Sequence, residues 1–343
     1  MGKILVKKLR ENIVLILLFS LIIIVAMLLI ILSGNNPLLS CKIIFENFSN
    51  IGTIGEVFVE AIVLSLTGLS FSFALQANLF NIGSEGQLYM GGLLAAFFAI
   101  YLKGLPMVIH LPLTLMAAFF GGGLWGLLSG WMKIKFNVSE IITTIMLNYV
   151  AIYWVNYMVT GPMMAPTGTL PQSEQIPISA KLSIILPGTR VHFGLILAIL
   201  CIIIYYIYFW KTKIGYETKI VGRNIKIATY SGMEARKIIP FSMFMAGGMA
   251  GLAGGCIILG IQGRLLQNFS PGYGYDGIAI AWMGNGLPLG ILFASIFFGF
   301  LRKSGNILQM FLGVPVTIIY IIEGISIIFI IFAQQLNKRK YKN

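Results

Sequence analysis

The stretch NLFNIGSEGQLYMGG, Asn78–Gly92, lies between two long apolar runs, Glu56–Gln76 and Leu88–Leu102. It holds two asparagines, a glutamate, a glutamine and four glycines, in a chain with a mean hydropathy of +0.90 and only 10% charged residues. Polar groups and irregular backbone at membrane depth are costly unless they are buried in protein or line a wet cavity. Glycine permits sharp turns and close backbone approach, and Ser84-Glu85-Gly86-Gln87 reads as the start of a new helix. A helix N-terminus inside a membrane offers free N–H groups and the positive end of a dipole, a device by which broken helices hold ligands. An ordinary turn between two spans, with Glu85 in the first helical turn, fits the same spacing.

Outward from this stretch, apolar blocks of spanning length recur through all 343 residues, 58% of which are hydrophobic. The expectation is an all-α polytopic membrane protein, one domain over residues 1–343, with about 8–10 crossings counting broken or re-entrant halves. The front carries Lys3, Lys7, Lys8 and Arg10 before a ~20-residue apolar run, too long for a signal-peptide core, so it is read as span 1. Cys41, Cys201 and Cys256 are too scattered for a disulfide framework or a metal site. The net charge of +13 sits in short loops between spans, which is the positive-inside pattern rather than a nucleic-acid surface. His110 and His192 lie beside span ends, where an interfacial role is expected.

In order, span 1 (13–32) leaves a cytoplasmic N-terminus, span 2 (54–76) returns, span 3 (88–102) goes out and span 4 (111–131) comes back to Lys133 and Lys135. Glycines 121, 122, 123, 126 and 130 allow close helix packing in span 4. Span 5 opens at Asn137-Val138-Ser139-Glu140, a cap-like start in which Glu140 is a helix-end residue. The proline-bearing loop 161–191 is placed outside, where it would dock an external partner or act as a solvated connector. Span 6 (193–210) ends in the basic segment 211–237, with seven Lys or Arg residues. Within it Asn224 reads as an N-cap and Gly232 as the residue after a short helix, Ile225–Ser231, with Ile225, Ile227, Ala228 and Tyr230 facing outward as a docking peg. A basic loop on anionic lipid is the alternative.

Span 7 (238–261) carries AGGMAGLAGG, a second close-packing seam. A second polar interruption follows, QNFSPGYGYDG at 267–277, then a short apolar piece 278–283, a break at 284–288 and the run 289–301. Arg302 and Lys303 are read as an inside loop, followed by a partial helix broken at Gly313-Val314-Pro315 and a last span, 316–333, with Glu323 facing the bundle interior and a basic, cytoplasmic C-terminus. Gly83-Ser84-Glu85-Gly86 and Gly274-Tyr275-Asp276-Gly277 share a Gly-x-acid-Gly core. Paired interruptions in two halves of a chain point to a translocation site.

Three stretches, Phe80-Asn81-Ile82-Gly83-Ser84-Glu85-Gly86-Gln87, Val221-Gly222-Arg223-Asn224 with Ala228 and Gly232, and Gly272–Ala281, together resemble the permease family of bacterial ATP-binding cassette importers that serves ribose-type sugars, branched-chain amino acids and nucleosides. The outer-loop run Thr169–Pro177 makes the chain most similar to the nucleoside-type permeases, with sugar and riboflavin relatives close by. The resemblance implies an importer half in the bacterial plasma membrane, without catalysis or a cofactor of its own. It implies a second, identical or homologous permease subunit, two cytoplasmic ATPase domains that bind ATP, and an extracytoplasmic binding (lipo)protein. Gly222, Arg223, Asn224, Ala228 and Gly232 are then the coupling residues. Asn78, Phe80, Asn81, Glu85 and Gln87, with Tyr275 and Asp276 opposite, are the pathway candidates; amides and carboxylates suit the hydroxyls and ring nitrogens of a nucleoside. Structural capping of broken helices explains the same residues.

Two other classes compete. An ion-coupled secondary transporter would draw on Glu85, Asp276 and Glu323 but leaves the capped basic helix without a task. An intramembrane enzyme finds no HExxH, GxSxG or facing aspartate pair, and no GxxxxGK[ST] loop exists to bind ATP in this chain.

Overall fold

The structure, a computed structural model, describes residues 24–166 and 170–315 and, beyond them, residues 317, 318, 320–325 and 328. Lys3–Arg10, much of span 1, half of the last span and the basic C-terminal residues fall outside the described residues. The described chain is helical, with only isolated β-bridges. Among the described residues six helices are long and apolar enough to cross a membrane, or seven if the bent pair α1 (Ile24–Leu32) and α2 (Pro37–Phe48), which meet at 111°, counts as one span. The chain divides into two compact units, residues 58–296 and the remainder.

In the terminal unit, left-handed Gly34, at φ +82°, ends α1 and Asn36 starts α2: its Oδ1 accepts the Leu38 and Leu39 N–H groups, and Pro37 takes the first helical position, where a missing N–H costs nothing. Ile30, Leu308 and Val314 form its core, and Phe48 packs on Phe300 at 4.8 Å between ring centres. One expectation fails here. Arg302 and Lys303 do not mark a loop, because α12 runs unbroken from Pro288 to Leu312. Arg302 is buried and faces Glu323, Nε to Oε1 at 3.6 Å, so its charge is answered inside the protein rather than by water. The break at Gly313 is present, with φ +64°.

The larger unit is built on the two glycine seams. α4 (Ser84–Tyr101), α5 (Met107–Phe136) and α10 (Ala235–Cys256) pack backbone to backbone. A Cβ on Gly122 would meet the Gly247 carbonyl oxygen, one on Gly251 that of Ala118, and one on Gly254 that of Leu88. Without a hydrophobic drive between helices in lipid, such close approach supplies the dispersion contacts that hold them. α3 (Ile51–Gln76) is almost wholly covered by protein, whereas α6 (Glu140–Thr160) and α7 (Gly194–Lys211) keep exposed faces.

α10 does not stop at Cys256 but widens into a π-helical turn, Ile257–Gln262, before Gly263 turns left-handed. This irregular end leaves carbonyls free, and the 161–193 segment takes them. Leu182 N–H donates to Leu259 O, Ile176 N–H to Gly263 O and Ser173 N–H to Leu265 O. Lys103 pairs with Glu174 at 2.6 Å. The segment is therefore pinned to the helix ends rather than a solvated connector. Both histidines are buried at this end, and His110 joins the pinning. His110 is fully buried, with Nδ1 2.9 Å from Ser179 Oγ, and His192 is fully buried, with Nδ1 accepting the Gly194 N–H.

At the opposite end lie α8 (Lys213–Arg223) and α9 (Ile225–Tyr230). Asn224 Oδ1 accepts the Lys226 and Ile227 N–H groups, and Gly232 is left-handed at φ +78°, the capping expected for a short isolated helix. Ile225, Ile227 and Tyr230 are exposed, but Ala228 is fully buried. On a helix under two turns long, position 228 falls on the face turned back to the protein, so it cannot be part of an outward peg.

Candidate functional site

α3 ends at Gln76, and a seven-residue segment, 77–83, climbs back beside it before α4 begins. Ser84 Oγ lies 3.0 Å from Ser70 Oγ, so α4 starts about 9 Å above the end of α3, six residues back along it. A helix that begins inside the protein leaves its first N–H groups without partners. Two side chains, Asn81 and Asn148, accept N–H groups at this start. Asn81 Oδ1 accepts the Gly83 N–H at 3.1 Å, and Asn81 and Gln87 exchange two amide hydrogen bonds, 2.9 and 3.0 Å. Asn148, from α6, accepts the Gly86 N–H at 2.8 Å and donates to Ile82 O at 2.9 Å.

Glu85, in the first turn of α4, serves a different helix. Its Oε2 accepts the Gly274 N–H at 2.7 Å, in the first turn of α11 (Tyr273–Met283). A Cβ on Gly274 would strike the Glu85 backbone, so only glycine admits this approach. One carboxylate thus stands at two helix N-termini, its own and that of α11, where both dipoles favour negative charge. The two Gly-x-acid-Gly segments meet in space. α11 is about 16 Å long, half a bilayer, and runs along α3, with Gly277 packed against Thr67, to a turn at Gly286 whose carbonyl accepts the Tyr205 hydroxyl at 3.0 Å. Tyr273 donates to Glu60 Oε2 at 2.8 Å and holds the upper end.

Of the expected pathway residues, Asn81, Glu85 and Gln87 are buried together in this cluster. Tyr275 joins its edge, its hydroxyl 3.4 Å from Asn148 Nδ2, while 42% of its surface stays exposed. Asp276 is half-buried in the first turn of α11. Asn78 lies apart, exposed and left-handed at φ +55°, and Phe80 sits edge-on to Phe71 at 5.3 Å. Asn148 was missed by sequence reading. Its signal was an amide in the middle of the apolar run of α6, where an unpartnered polar group is costly.

Of the expected coupling residues, Asn224 and Gly232 cap α9, and Arg223 is exposed beside it. Gly222 faces inward: a Cβ there would meet the Gln76 carbonyl oxygen, so it seats α8 on the end of α3. A cavity of about 720 Å³ opens beside α9, lined by Lys133, Asn137, Ile225, Thr229, Met233 and Arg236 among others. Among the described residues no group of histidine, cysteine and acidic side chains is placed to hold a metal.

Sequence comparison now bears on this geometry. The chain is 36% identical over 287 residues to the guanosine ABC transporter permease of Bacillus subtilis, covering 82% of each chain. It is equally similar, 36% over 289 residues, to the glucose ABC transporter permease of Haloferax volcanii, covering 81% of this chain and 76% of that one. The nucleoside ABC transporter permease of Lactococcus lactis is 31% identical over 307 residues, 87% and 84% of the two chains. No solved structure matches the chain. Residues 53–334 match the family described as branched-chain amino acid transport system / permease component, and the chain belongs to that family of ABC transporter permeases.

Proposed function

We propose that this chain is the membrane-spanning subunit of an ATP-driven importer and that its cargo is nucleosides, delivered by an external binding protein. The observation that carries the reading is the meeting of two buried helix starts at Glu85 and Gly274. Interrupted helices held together at mid-depth give a permease a rigid point about which a pathway opens and closes. Asn81, Glu85, Gln87 and Asn148 position those starts, and Tyr275 and Asp276 lie nearer the cargo. The basic end, with Lys133, Lys135 and the α8–α9 segment, faces the cytoplasm by the positive-inside rule. The exposed Ile225, Ile227 and Tyr230 of α9, with the adjoining cavity, receive a cytoplasmic ATPase, whose closure moves the helix as a rigid body. A second permease subunit faces this one, and the pinned 161–193 segment is the seat of the binding protein.

The same machine carrying a simple sugar is the second reading, favoured by the equal likeness to the Haloferax glucose permease. Uptake of labelled adenosine and guanosine by cells with and without the chain, with ribose as competitor, separates the two. Chain-dependent uptake untouched by ribose supports nucleosides, and displacement by ribose moves the cargo to sugars.

A further inference from the structure

Two helices of the larger unit expose long faces, and their compositions differ. The exposed face of α7 is aliphatic from Ile196 to Ile204, with Ile199, Leu200 and Ile203 between them, and its exposed aromatics, Tyr206 and Trp210, lie in its last two turns, as the belt of a lipid-facing helix should. That of α6 carries, beside Ile142, Met146, Val150 and Trp154, a row of Tyr149, Tyr153 and Tyr157 at four-residue steps, with the part-buried Asn156 between the last two. Steps of three and four place these residues on one side of a helix. An aromatic belt at a membrane surface explains Tyr157, near the end of α6. It does not explain Tyr149 and Tyr153, about 14 and 20 Å along a helix about 31 Å long. Three phenols in hydrocarbon are costly, and Tyr153 is 70% exposed.

The stripe is also continuous with the buried cluster. Asn148, one residue before Tyr149, reaches Tyr275 at 3.4 Å. Further along, Asn156 Nδ2 donates to Asn268 Oδ1 at 2.8 Å and its Oδ1 accepts the Asn268 N–H at 3.1 Å. This ties α6 to the left-handed turn that leads into α11. One wall therefore runs from the Glu85 cluster along α6 toward the end bearing the 161–193 segment.

We infer that Tyr149, Tyr153, Asn156 and Tyr157, with Tyr275 and Asn268, form the cargo-facing wall of the pathway and take a ligand with a planar ring and hydroxyl groups, stacking the ring on successive tyrosines. This rests on the nucleoside reading above. Every base has a face to stack, so a tyrosine ladder passes different nucleosides without binding one too tightly to release it.

Cysteine accessibility tests the wall without requiring transport. Cys41 is exposed whereas Cys201 and Cys256 are buried, so a Cys41→Ser background gives a quiet chain. In native membranes, Tyr153→Cys should react with a charged, membrane-impermeant methanethiosulfonate, and guanosine should slow that reaction. Ile203→Cys on α7 should react only with a lipid-soluble maleimide. Reaction of Tyr153→Cys with the lipid-soluble reagent alone overturns the wall. Reaction with the charged reagent that guanosine leaves unchanged overturns the ligand assignment. Loss of the cargo reading would show separately, as absent guanosine uptake by the unmodified chain. Where transport is intact, Tyr153→Ala should raise the guanosine KM roughly 10-fold and Tyr153→Phe should restore it, because the ring rather than the hydroxyl does the stacking.

Discussion

Glu85 and Gly274 are 189 residues apart in sequence and joined by a 2.7 Å hydrogen bond from the Gly274 N–H to Glu85 Oε2. The glutamate caps a helix it does not belong to while sitting in the first turn of its own. Removal of the carboxylate leaves the buried Gly274 N–H without this acceptor, a cost of about 1–3 kcal/mol. Glu85→Ala should lower uptake sharply while the chain still reaches the membrane, and Glu85→Gln, which keeps a carbonyl oxygen in place, should retain much of it. Normal uptake by Glu85→Ala would remove this residue from the mechanism.

Gly274→Ala tests the same junction from the other side. The added methyl collides with backbone rather than with a movable side chain, so the two helix starts must separate. Uptake should fall at least as far as in Glu85→Ala, and the detergent melting temperature should fall with it.

Asn148 closes the start of α4 through both its amide atoms. Asn148→Leu fills the volume but strands the Gly86 N–H and the Ile82 carbonyl, a loss of about 1–3 kcal/mol for each group left unsatisfied. A melting curve of the variant superimposable on that of the unmodified chain would contradict this assignment.

At α9, exposed and buried positions predict different failures. Ile227→Asp alters only the exposed surface and should abolish ATPase co-purification without lowering the melting temperature. Ala228→Asp buries a carboxylate and should destabilise the chain as well as uncouple it. Asn224→Ala removes the cap, worth about 1 kcal/mol, and should weaken coupling only partly.

His192 gives a pH dependence. Burial, with Arg190 nearby, pushes its pKa down from 6.5 to about 4. The unfolded chain takes up a proton near pH 6.5 that the folded chain refuses. Stability from this group is complete above that pH and is lost as the pH falls toward 4. Melting temperature should drop over that window, and His192→Gln should flatten the drop.

Much of the architecture was legible because its causes are local. The caps of α9, the interruptions at 78–83 and 267–272 and the glycine seams each follow from residue types that permit little else. Placement of Arg302 was misread because a charge in an apolar chain signals a loop only if its partner lies elsewhere, and Glu323 is 21 residues further on in sequence. Ala228 was placed outward because the pattern of a six-residue helix does not set which side faces the protein. Asn148 was passed over because its partners, Gly86 and Ile82, lie more than 60 residues away. The bond between Glu85 and Gly274 was foreshadowed only by a four-residue echo.

Counting labelled guanosine in cells with and without the chain, in the presence of vanadate or of a protonophore, tests the central claim most directly. The account predicts chain-dependent uptake that vanadate stops and the protonophore spares. Collapse with the protonophore alone would contradict it, because the energy would then come from an ion gradient and α9 would have no ATPase to meet.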